Sequence, residues 1–231
     1  MVMEAFTNFD WSPLFLSGKL AFITTIILLF ISTPIAYTLA YSKSKWKPFL
    51  EALIALPIVL PPTVIGFYFL LTFSPAYGLG KLLNNWFDIR LVFSFPGLVL
   101  ASLFYSLPFM VQPIQNGFNG LPKNLREAAY VLGKSKWETL RYVLLPNIKT
   151  SIITGIVLTF AHTIGEFGVV LMVGGSIPNK TQVASSIIYE HVEALNYTSA
   201  HIYSAILLAI SFIILISVYT YNRNQLNLFY S

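Results

Sequence analysis

Cysteine is absent from the 231 residues, and histidine occurs only three times. The first absence removes disulfide frameworks, thiolate metal sites and cysteine nucleophiles together. The second leaves little for a metal site. Charge is scarce as well: Lys and Arg number 14 and Asp and Glu 9, so charged residues make up 10% of the chain, against about 25% in a soluble domain. Catalytic signatures are missing too, with no HExxH, no GxSxG and no Walker A segment, so P-loop ATP hydrolysis is not expected of this chain. Hydrophobic residues reach 56%, and mean hydropathy is +0.71. So few charges cannot cover a water-soluble particle of this size, and the aliphatic and aromatic content excludes disorder. An all-α polytopic membrane protein remains. Its net charge of +5 does not indicate nucleic acid, because the basic residues sit in loops between apolar runs, without an RNP, zinc-finger or helix-turn-helix pattern.

A helical span needs roughly 20 mostly apolar residues. Five segments qualify, near residues 20–41, 49–73, 91–112, 150–173 and 202–220, and only Glu51 and Glu166 place charge inside them. The runs are too long for barrel strands and lack their alternation. With an external N-terminus, ten of the 14 basic residues fall in cytoplasmic segments, and Lys19, Lys81, Arg90 and Lys180 fall outside. The positive-inside rule therefore puts segment 1–19 outside and tail 221–231 in the cytoplasm. The first nineteen residues show no basic n-region or cleavage site, so no cleaved signal peptide is expected. There is no internal repeat, and an odd span count disfavours the inverted repeats of secondary transporters. Five helices are few to enclose a solute path, which points to a homodimer.

Residues 119–149 form the one long hydrophilic stretch on the inside, and they carry helix punctuation. Asn124 with Glu127 reads as an N-cap with an acidic N3 residue. Leu125, Ala128, Ala129 and Leu132 then recur as one apolar stripe. Gly133 follows where a positive φ ends a helix. Ser135 and Glu138 make a second capping box, opening a helix expected to end by Leu145, with Pro146 in the first turn of the fourth span. The stretch is either a solvated connector or a docking element presenting an apolar stripe to a groove.

The run Glu127-Ala128-Ala129, three residues, Gly133, nine residues, Val143, one residue, Leu145-Pro146 resembles the EAA loop of ABC importer permeases, E-A-A-x3-G-x9-I-x-L-P, departing only at Val143. The likeness extends from about residue 12 to 220. The run from Leu56 to Phe67, with Pro57, Pro61 and Pro62, is similar to the second span of molybdate permeases. So are Leu91-Val92-Phe93-Ser94-Phe95-Pro96-Gly97 and Gly165-Glu166-Phe167-Gly168. The run Gly175-Ser176-Ile177-Pro178-Asn179-Lys180-Thr181-Gln182 resembles that family's external G-N-I-P-G-K-T-Q segment, with departures at Ser176 and Asn179. This resemblance implies a type I ABC importer transmembrane domain over residues 20–220 in the cytoplasmic (inner) membrane. Glu127, Ala128, Ala129, Leu132 and Gly133 would then form the coupling helix. Two ATP-binding cassette subunits would carry ATP and Mg, leaving no cofactor on this chain, and an extracytoplasmic oxyanion-binding protein would deliver the substrate. The substrate implied is a tetrahedral oxyanion, molybdate first, with tungstate and sulfate as near competitors. A self-sufficient carrier or intramembrane enzyme is the other class; neither coupling-ion carboxylates nor a catalytic pair is present to support it.

Several residues are unusual for a span. Pro61 and Pro62, beside Thr63, must kink or unwind the second helix, and Gly66 permits close helix approach. The break either serves packing alone or lines the pathway. Thr159, His162, Thr163 and Glu166 are spaced to share one face of the fourth span, where a His162–Glu166 hydrogen bond would lower the cost of burial. Intramembrane ionisable residues point to function. A bare carboxylate does not help a dianion pass, so Glu166 is expected to shape a gate, bonded to backbone amides or to the dimer mate, rather than to touch substrate.

Overall fold

The computed structural model describes residues 9–227, with few side chains placed beyond residue 217. The ends of the expected terminal segments, residues 1–8 and 228–231, lie outside it, as do the side chains of the tail from residue 221. All regular structure among the described residues is helical. In chain order the helices are α1 (Ser12–Tyr41), α2 (Lys47–Val59), α3 (Pro62–Phe73), α4 (Gly78–Phe87), α5 (Phe95–Asn119), α6 (Lys123–Val131), α7 (Lys136–Thr139), α8 (Leu145–Asn147), α9 (Lys149–Ile164), α10 (Gly168–Gly174), α11 (Ala184–Glu193) and α12 (Tyr197–Asn227). A π-helical turn, Leu140–Leu144, joins α7 to α8.

Four stretches are long and apolar enough to cross a bilayer: Ser12–Tyr41, Pro62–Phe87, Phe95–Asn119 and Tyr197–Ser217. A fifth is reached if Lys136–Asn147 and Lys149–Ile164, set at 75° to one another, count as one unit. The chain is thus an all-α polytopic protein, but two expected spans are each divided into two helices and the limits of the others shift by several residues. Segment 49–73 is divided at Leu60 and Pro61. A residue before proline is pushed out of the helical region, and both Leu60 (ψ 139°) and Pro61 (ψ 134°) are extended. Pro62 then starts α3, where its missing amide is harmless. Segment 150–173 is divided at residues 165–167, between α9 and α10. The first helix begins at Ser12 rather than near residue 20, because Pro13 suits a first turn and the Asp10 carboxylate accepts from the Ser12 amide at 2.8 Å.

Helix α5 is the central post, packed by α1 and α9 and also touched by α2 and α10. One part of its core joins Leu28, Ala36 and Leu39 of α1 to Met110, Val111, Ile114 and Phe118. Lipid tails are as apolar as leucine, so close approach of small residues, rather than exclusion of water, decides such packing. Gly155 is the clearest case on α9, since a Cβ there would stand 3.1 Å from the Met110 sulfur.

Candidate functional site: an exposed helical face and a pair of broken helices

Helix α6 starts at Lys123 after Pro122 and has no side-chain cap, so the expected Asn124 N-cap is not formed. The proline ends the preceding turn, and the helix starts two residues early, with Pro122 rather than Asn124 at the N-cap position. The second capping box is present: the Ser135 hydroxyl accepts from the Glu138 amide at 3.2 Å, and the Ser135 amide donates to the Glu138 carboxylate at 2.9 Å. The Ser135 amide, its hydroxyl and the Lys134 ammonium hold the Glu138 carboxyl below its ordinary pKa. Gly133 ends the unit at φ +79°, with no neighbour within 4 Å of an added Cβ.

The expected apolar stripe splits into two faces. Leu125 packs into the protein's own core, and Ala129 is buried, so neither is free for a partner. Glu127 and Ala128 are exposed, and Val131, Leu132 and Trp137 are 87%, 80% and 66% exposed. The Arg126 guanidinium lies over Tyr41, 4.3 Å from the ring centroid, which pins the buried side of α6 to α1. The second helix does not run unbroken to Leu145. Pro146 lacks a donor and crowds the turn before it, and the chain widens into the π turn, where the Leu145 amide reaches the Leu140 carbonyl. Pro146 therefore lies in α8, and the chain turns by 75° before α9. Ile148, at the turn, is only 2% exposed.

Deeper in the chain, the two broken helices meet. A Cβ on Gly168, at the start of α10, would sit 2.7 Å from Pro62 Cβ, and one on Gly66 would sit 2.8 Å from Met172 Cβ. The Pro61–Pro62 break is thus covered by the α9–α10 break, as irregular backbone at membrane depth requires. Pro61 and Thr63 remain exposed on the outer side of the joint.

Glu166 is 4% exposed. Because α9 ends at Ile164, Glu166 does not continue the face of Thr159 and Thr163, and the expected His162–Glu166 bond is not formed. His162 instead bonds Ser106 through Nδ1 at 3.0 Å and stacks on Phe109, with ring centroids 3.9 Å apart. The Ser102 hydroxyl donates to Glu166 Oε2 at 2.9 Å, and the Ser185 hydroxyl donates to the Glu166 carbonyl at 2.5 Å. Among the described residues carboxylate oxygen Oε1 has no partner, nor does the Thr159 hydroxyl. Thr163 donates to the Thr159 carbonyl at 2.8 Å and also meets Ser106 at 2.9 Å. Sequence reasoning missed Ser102, Ser106 and Ser185. The usable signal was Ser102 and Ser106 one turn apart on an apolar helix, where each hydroxyl needs a partner. Among the described residues no three His, Asp or Glu side chains group to hold a metal.

Residues 32–225 match the family described as the binding-protein-dependent transport system inner membrane component. The chain is 44% identical over 214 residues to the molybdenum transport system permease protein ModB of Azotobacter vinelandii, covering 93% of this chain and 95% of that protein. It is 30% identical to the sulfate transport system permease protein CysT of Escherichia coli K12, covering 87% and 72%. In fold it is similar to a bacterial ABC transporter that imports alginate, with TM-score 0.79 at 15% identity, covering 96% of this chain and 82% of that one.

Proposed function

Since this chain belongs to the family of binding-protein-dependent transport system inner membrane components, we propose that two copies of it form the path of an ATP-driven importer for a tetrahedral oxyanion, molybdate first. It is a multi-pass inner-membrane permease subunit, and ATP hydrolysis resides on a separate subunit. The preference for molybdate rests on the 44% identity to a molybdenum permease against 30% to a sulfate permease. Tungstate and sulfate share charge and shape with molybdate, and titrating the associated binding protein with each anion ranks them. The N-terminus faces outward, and two ATPase subunits seat against residues 119–149. Closure of those subunits draws the α6 segments together and swings the spans, giving alternating access by rigid-body movement.

One observation carries the docking assignment: Ala128, Val131, Leu132 and Trp137 form an uncovered apolar face on a loop otherwise rimmed by basic residues, while Leu125 and Ala129 fix that loop to the protein's own core. A residue with a Cβ at a left-handed position costs on the order of 1 kcal/mol, and more if β-branched. Gly133→Val is therefore expected to misdirect α7 and the π turn. Ala128→Asp is expected to place a charge in the contact without disturbing the fold. Lys134→Ala, at a mostly solvated ion pair with Glu138, is expected to be mild. Pull-down of the ATPase subunit and anion uptake by proteoliposomes are the measurements. Full uptake and full ATPase retention by both Gly133→Val and Ala128→Asp would remove the assignment.

A further inference from the structure

Three of the four basic residues on the proposed outer side gather at one end of α5. Lys19 lies over Phe95, 4.9 Å from the ring centroid. Arg90 and Lys180 line a cleft of about 470 Å3 whose walls include Leu71, Ser74, Tyr77 and Phe93. The two segments bearing these cations are tied together, since the Phe93 amide donates to the Val173 carbonyl at 2.9 Å, just before the Lys180 loop. That loop is held in turn by Thr181, whose hydroxyl donates to the Gly174 carbonyl at 2.6 Å and accepts from the Ile177 amide at 3.0 Å. Phe93, Ser176 and Asn179 all have positive φ, at 57°, 49° and 58°. For a residue as bulky as phenylalanine this is a costly conformation, kept only where the surroundings fix it. The cleft is therefore a built feature rather than a chance gap between loops.

Among the described residues no carboxylate lines the cleft, and neither Arg90 nor Lys180 forms an ion pair. Two unneutralised cations facing one apolar-walled space repel each other, and low-dielectric walls focus their field onto whatever enters. We infer that this cleft is an anion-binding antechamber in which Arg90 and Lys180 receive the divalent tetrahedral oxyanion before it passes inward. The cleft is larger than such an anion, so the ion keeps part of its water shell and is held weakly, as a site that must release its ligand requires. This inference rests on the oxyanion-importer reading and on its outward N-terminus.

The test uses the whole transporter, reconstituted with its ATPase and binding protein. In this cysteine-free chain, Ser74→Cys places one thiol in the cleft wall. An anionic methanethiosulfonate reagent is expected to label it several-fold faster than a cationic one at low ionic strength, and millimolar molybdate or sulfate to slow that labelling. Arg90→Gln with Lys180→Gln should abolish both effects and lower oxyanion uptake several-fold, with binding-protein docking and ATPase association unchanged. Lys81→Gln, a cation outside the cleft, should leave uptake and labelling as in the parent. Equal labelling by the two reagents with no protection by either anion overturns the proposal. So does a loss of binding-protein docking that accounts for the loss of uptake, because the cations then serve that protein. Charge-selective, anion-protected labelling in a parent that imports no oxyanion leaves the cleft standing and removes the importer reading instead.

Discussion

Gly66 shows how much a single hydrogen in place of a methyl group can decide. An added Cβ would stand 2.8 Å from Met172 Cβ and 3.3 Å from the Val169 Cα, a backbone atom of α10. Overpacking of this kind costs about 1–3 kcal/mol. Gly66→Ala is therefore expected to lower the thermal stability of the purified subunit by separating α3 from α10. Gly18, in the interior of α1, has nothing within 4 Å of an added Cβ. There the same substitution is expected to stabilise by about 0.5–1 kcal/mol, as helix propensity alone dictates. Thermal unfolding of both variants in detergent checks the pair, and a Gly66→Ala protein as stable as the parent would show that α10 can yield. Sequence reading foresaw close approach at Gly66 but not its partner, because Met172 and Val169 become neighbours of α3 only after two helices break. Glu166 follows the same pattern. Its burial was legible from its place in an apolar run, whereas its pairing with Ser102 and Ser185 was not, since these serines lie on other helices whose rotation toward Glu166 no local spacing specifies.

Among the elements, the double proline and the caps of α6 and α7 carry their own expectations. Replacing Pro61 and Pro62 with alanine together restores two amide donors and relieves Leu60 of its extended conformation. The α2–α3 junction should then become more helical and pull away from Gly168. Anion uptake is expected to fall while ATPase association persists, both measured in proteoliposomes; normal uptake would make the break a packing accommodation. The Ser135–Glu138 box has a pH signature. The Glu138 pKa is lowered on folding, so its contribution is fully present above the unfolded value of about 4.3 and is lost as pH falls through the folded value. Between neutrality and about pH 5 the docking of the ATPase should not respond through this residue, whereas Glu138→Ala, which removes the acceptor of the Ser135 amide, should weaken it throughout that range. Binding of the ATPase subunit measured against pH separates the two. This box, Gly133 and the proline break were readable because each depends on residues adjacent in sequence. The sidedness of α6 was not, because burial of Ala129 and exposure of Ala128 depend on where α1 and α5 lie.

At the scale of the whole molecule, the ten-to-four partition of basic residues sets the expected topology. Single cysteines at Ser44, Lys81, Lys136 and Lys180 should label from the inside, outside, inside and outside respectively, in oriented vesicles with a membrane-impermeant reagent. Labelling of positions 136 and 180 from one side would reverse the arrangement and separate the docking loop from the ATPase. The helical class and the approximate spans followed from composition and run length alone. The two divided spans did not, because hydropathy reports what is apolar and not whether the backbone stays helical. The 75° turn at Ile148 has one more consequence. With α7 to α8 on one arm and α9 on the other, and the packed Ile148 at the elbow, the pair has the shape of a bell crank, in which a sideways shove on the first arm is expected to emerge as a tilt of the second. If the ATPase subunits seat as proposed, a stroke parallel to the membrane is expected to be turned by this elbow into motion through it.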